Sequence, residues 1–182
     1  MNITKAISDI QSNKEKSRYN AYQFLLPISE KYPDKIYPYW DILVDILRMQ
    51  EVSNKYVAIP LIANLIGVDK NNRFDKLFHE FYKLLQHESP VVSPHIARVS
   101  GKIINSRPEL QNKILDLLLT TDQTTKCRHK DLLKGYVIEG LDEGYETIIQ
   151  KKKVVEFVKR QLDSESPKTR KRAREFLNKR VS

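Results

Sequence analysis

Two segments of this chain, Arg18 to Leu25 and Arg170 to Leu177, share the spacing R-x-x-A-x-x-x-L. Three looser versions stand between them: Lys55…Ala58…Ile62, Ser93…Ile96…Ser100 and Lys130…Leu133…Val137. Their first positions step by 37, 38, 37 and 40 residues. A period of that size marks a supersecondary unit that buries its apolar face only by stacking on its neighbours. A second apolar pattern recurs in phase with the first: Ile42/Leu43/Ile46/Leu47, Leu77/Phe78/Phe81/Tyr82, Ile114/Leu115/Leu118/Leu119 and Val154/Val155/Val158. Each unit therefore reads as two segments with helical periodicity.

The punctuation fits helices joined by short turns. Ile3, Ala6, Ile7 and Ile10 have helical spacing and predict a short opening helix. Ser12 and Glu15 have capping-box spacing, which starts the next helix near residue 13. Pro27 should kink or end it, and Tyr32-Pro33-Asp34 with Tyr37-Pro38 turns the chain into the following helix. Further turns are expected at Gly67 to Asn72, at Arg107-Pro108-Glu109 and around Gly140 and Gly144. Ser89-Pro90, Ser93-Pro94 and Ser166-Pro167 each place a capping serine before a proline suited to a first helical position. Only five of the 182 residues are glycine, which favours helix over a turn-dense β architecture.

With prolines near the turns, and an arginine three before a small residue and seven before a leucine, the chain resembles HEAT repeats of the armadillo-like helical superfamily along essentially its whole length. That resemblance implies an all-α fold. It implies a right-handed superhelix of antiparallel helix pairs, a HEAT-like α-solenoid of about four to five units, forming a single domain over residues 1–182. It also implies that the second helices line the binding face. The side of each second helix opposite its apolar stripe carries Asp41, Val44 and Arg48; Lys76, His79 and Lys83; Lys113, Asp116 and Thr120; and Lys153, Glu156 and Arg160. Because these charges are mixed, the ridge suits a folded or peptide partner better than a uniform phosphate backbone. The expected role is a non-enzymatic scaffold for protein–protein interaction, with an unidentified protein partner.

The formal net charge is +9, and from Lys151 onward twelve Lys or Arg face four acids. Terminal repeats need a polar outer face, and a Lys/Arg-rich last helix supplies one. The alternative is nucleic-acid binding, with Arg170, Arg172 and Arg174 on phosphates. Trp40, the sole tryptophan, reads as packing beside Ile42 or as an aromatic contact at the mouth of the groove with Tyr37 and Tyr39. Some DNA-repair glycosylases share a HEAT-like fold and use Trp and Asp in the groove, yet here only Trp40-Asp41 answers to that.

Other chemistry finds little support. His79, His87, His95 and His129 form no metal-ligand pair with a carboxylate in reach, so no metal and no cofactor is expected. Cys127 is the single cysteine, expected as a packed side chain, which rules out a disulfide within the chain and a four-cysteine zinc site. No leader pattern and no long apolar run is visible, so a cytoplasmic protein away from membranes is expected, with self-association through an incompletely capped end left open.

Overall fold

The structure, a computed structural model, describes residues 1–181. Among them all regular structure is helical: twelve α-helices and five single 3-10 turns, with no strand. No described helix is long and apolar enough to cross a membrane. The chain gathers into two compact units, Met1–Lys76 and Leu77 to the C-terminus.

The first unit holds α1 (Ile3–Ile10), α2 (Glu15–Lys31), α3 (Pro33–Ile36), α4 (Trp40–Arg48), α5 (Val52–Leu65) and the start of α6 (Arg73–Lys83). The opening periodicity forms α1 as expected: Asn2 accepts from the Lys5 amide at 2.8 Å, and Ala6, Ile7 and Ile10 are buried. The Ser12–Glu15 capping box does not form. Its serine accepts instead from Lys14 N at 3.1 Å, because α2 starts only at Glu15 with Lys14 as its cap. Nor does Pro27 end α2, which runs on to Lys31. Gln23, whose carbonyl loses its donor there, lies on the exposed side where water can replace it. The turn after α5 behaves as its composition suggests: Asn72 takes φ of 50°, and Asp69 accepts from the amides of Arg73 and Phe74 at 3.1 and 2.8 Å.

The second unit holds the rest of α6 with α7 (Val92–Ser106), α8 (Gln111–Leu119), α9 (Thr121–Thr124), α10 (Lys130–Gly144), α11 (Lys151–Arg160) and α12 (Pro167–Arg180). Ser166 caps α12 as expected, accepting from Thr169 N. Ser93 and Pro94, by contrast, sit inside the first turn of α7 rather than ahead of it. The glycines expected at the fourth turn are inside α10. A Cβ on Gly140 would lie 2.1 Å from the Ala97 oxygen, and one on Gly101 would lie 2.1 Å from the Gly140 oxygen. These residues are glycine because α7 and α10 cross backbone against backbone; none adopts a positive φ. On another side of α10, Gly135 leaves room for Thr169 and Arg172 of α12.

The repeated first position acquires a physical meaning. Arg18 donates to Ser12 O at 3.0 Å, Lys55 to Met49 O, Ser93 to His87 O at 2.7 Å and Arg170 to Ser164 O at 2.6 Å. Each acceptor lies six residues upstream, at the exit of the preceding helical segment, where carbonyls lack intrahelical partners. The motif is thus a side-chain cap on the helix before it. Lys130, at the fourth copy, is exposed instead.

The buried stripe of the second helices differs from expectation at its ends. It reads Trp40/Leu43/Val44/Ile46/Leu47, Phe74/Leu77/Phe78/Phe81/Tyr82, Gln111/Ile114/Leu115/Leu118 and Val154/Phe157/Val158/Gln161. Ile42 and Val155 move to the margin, and Val44 leaves the solvent side for the core. The reason is the register: burial begins at Trp40, Phe74 and Gln111 and recurs three and four residues on, so Val44 shares a face with Trp40 and Leu47.

Candidate interaction surface

The charged ridge residues read from the sequence all reach solvent. Asp41, Arg48 and Lys76 are exposed in the first unit, and His79, Lys83, Lys113, Asp116, Lys153, Glu156 and Arg160 in the second. Val44 is the correction, buried for the reason just given. Among the described residues two charged ridge members form ion pairs: Asp41 pairs with Arg73, and Arg48 lies 4.0 Å from Asp45. The N-terminus of α8 and the entry to α11 are neighbours, since Gln111 Oε1 accepts from Ile149 N at 2.7 Å and Gln150 bonds Asn112 at 2.7 Å. Next to that junction Ile149 is 79% exposed.

On α11, the apolar Val154, Phe157 and Val158 face inward and leave Lys152, Lys153, Lys159 and Arg160 outside with Glu156. Among the described residues none of these four cations forms an ion pair. On α12 the opposite holds. Arg170 is turned onto the Ser164 and Glu165 carbonyls, Arg172 is 13% exposed and paired with Glu139, and Lys171 lies 3.8 Å from Glu175. Lys179 and Arg180 hold Asp142 at 2.8 and 2.7 Å. Of the three arginines expected on phosphates, only Arg174 is exposed and without a partner among the described residues, so Arg170, Arg172 and Arg174 are not presented to solvent as one set.

Trp40 is 3% exposed, which settles it as packing and corrects the groove-contact reading. Tyr37 and Trp40 lie 5.9 Å apart, with the Arg73 guanidinium 5.6 Å from the indole, and Tyr37 donates to Asp69 at 2.6 Å. Burial and that carboxylate together raise the Tyr37 phenol above its ordinary value.

A hollow of about 150 Å³ opens between α10 and α12, bordered by Ile138, Glu139, Asp142, Arg172 and Lys179. Its carboxylates are tied to cations. Burial pushes Asp142 upward, but the bonds from Lys179 and Arg180 outweigh it and leave the carboxyl below its usual range. Among the described residues no group of three His, Cys, Asp or Glu is placed to hold a metal ion. Cys127 is buried.

Sequence reasoning missed a cluster drawn from three helices. Arg98 of α7, Lys168 and Arg172 of α12 lie 4.8, 5.0 and 4.6 Å from the ring centre of Tyr136 on α10. Their sequence separation hides it: Tyr136 is 38 residues from Arg98 and 32 from Lys168, one repeat away in each direction.

No family model matches this chain, and no curated protein matches it. Among solved structures it is similar to a crystal structure of an engineered protein from the Northeast Structural Genomics Consortium, with 15% identity, 98% of this chain and 96% of that chain covered, and a TM-score of 0.43.

Proposed function

We propose that this chain is a non-enzymatic HEAT-like scaffold, a right-handed stack of about four to five helix pairs, whose exposed second-helix faces bind a protein partner. The stack is supported by the 37- to 40-residue period and by the cap shared by Arg18, Lys55, Ser93 and Arg170. Side-chain bonds about one repeat apart within each unit point the same way, as in Ser29–Asn64, Tyr37–Asp69 and Asn105–Thr147, which lie 35, 32 and 42 residues apart.

One observation carries the binding role: Lys152, Lys153, Lys159 and Arg160 stand outside α11 with no ion-pair partner among the described residues, while the cations of α12 are largely engaged within the chain. An acidic polypeptide segment complements that face. Asp116 and Glu156 on the same helices make it a poorer match for a continuous phosphate backbone.

Anisotropy titrations of a labelled acidic peptide and of single- and double-stranded DNA and RNA, at about 50 and 200 mM salt, test this. The peptide is expected to bind and nucleic acid to bind only weakly. Tight nucleic-acid binding that falls steeply with salt, with none for the peptide, would overturn it.

A further inference from the structure

The cluster around Tyr136 is built for an anion, and we infer that it is a binding site for a phosphate monoester. Three cations converge on one ring, and among the described residues the only carboxylate bonded to any of them is Glu139, which pairs with both Arg98, at 3.0 Å, and Arg172. Two positive charges are left over, and a phosphate monoester carries about −1.5 to −2 near neutral pH.

The hydrogen-bond inventory agrees with the charge. Arg98 uses Nε on Glu139, so both of its terminal nitrogens remain available. Lys168 gives one hydrogen to the Tyr136 hydroxyl at 3.3 Å and keeps two. That hydroxyl accepts from Lys168 and retains its own hydrogen for donation. Arg98 and Lys168 are exposed and Tyr136 half-buried, so these donors are reachable from water. Arg172 lies deeper, beside Gly135, where it supplies field rather than contact. The site uses different helices from the outer side of α11, and its test is independent of that proposal.

Spectra of the arginine Nε–H groups, recorded during titration at constant ionic strength, read the site directly. Inorganic phosphate is expected to shift the Arg98 signal saturably. Lys168→Ala should weaken that response about tenfold, and Tyr136→Phe should weaken it while leaving the amide spectrum native. A phosphoserine peptide that binds more tightly than inorganic phosphate would place the group on a partner chain; equal or weaker binding would point to a free phosphate, and either supports the site. Absence of a saturable shift, an equal response to dimethyl phosphate, or unchanged affinity in the variants would overturn it.

Discussion

The guanidinium of Arg170 donates to the backbone carbonyl of Ser164 at 2.6 Å, and at the opposite end of the chain Arg18 makes the same bond to Ser12 at 3.0 Å. Arg18 is buried and donates also to Ser53 Oγ at 2.7 Å and to Glu51 Oε2 at 3.4 Å, so its loss leaves three acceptors without that donor. Arg18→Ala is expected to lower stability by about 2–3 kcal/mol, and Ser93→Ala, which removes a neutral cap, by about 1 kcal/mol. Urea unfolding measures both. An Arg18→Ala midpoint equal to that of the parent would remove the cap from the account of the repeat.

Gly140→Ala meets the Ala97 oxygen at 2.1 Å, and two helix backbones cannot part there without opening the core between α7 and α10. A loss of about 3 kcal/mol or outright failure to fold is expected. Gly67→Ala is the matched control: Gly67 is exposed and its φ is not positive, so the change should stay within about 0.5 kcal/mol.

Acid should loosen α12. Asp142 is held below its usual range by Lys179 and Arg180, and Asp131, bonded by Lys134 and Ser164, is lowered as well. A carboxyl whose folded value is depressed stabilises the fold above its unfolded value, and the benefit disappears as pH falls through the folded one. Thermal stability is therefore expected to hold from neutral pH down to about 5 and to fall below about 4. Asp142→Asn should flatten that fall; an unchanged profile in the variant would contradict the assignment.

Buried Trp40 gives an optical check on the first unit. Its emission should be blue-shifted and shielded from acrylamide in the native state, then red-shifted on unfolding. Native quenching as rapid as that of free indole would show an accessible ring.

Helix content, the opening helix, the Ser166 cap and the exposure of every charged ridge residue were legible in the sequence, because each depends on periodicity or on neighbours within one turn. The role of the R-x-x-A-x-x-x-L spacing was only half legible. Its recurrence was visible, but the bond from Arg18 to Ser12 reaches backward out of its own helix. Val44 was misplaced because its face is shared with buried Trp40, four residues before it, which the apolar pattern left at the edge of the stripe. Gly140 looked like a turn residue because the reason for its size is the Ala97 carbonyl, on another helix. Tyr136 and its cations were hidden for the same reason.

The outer side of α11 is the central claim, and charge reversal tests it most directly. The acidic peptide would be titrated against the parent, against Lys152→Glu/Lys159→Glu/Arg160→Glu and against Arg170→Ala/Arg172→Ala/Arg174→Ala, each with its helical melt recorded. The expected result is binding abolished by the α11 reversal, with an unchanged melt, while the α12 variant binds as the parent does but melts earlier because Arg170 and Arg172 are structural. Peptide binding that survives the α11 reversal, or that is lost only in the α12 variant, would contradict it.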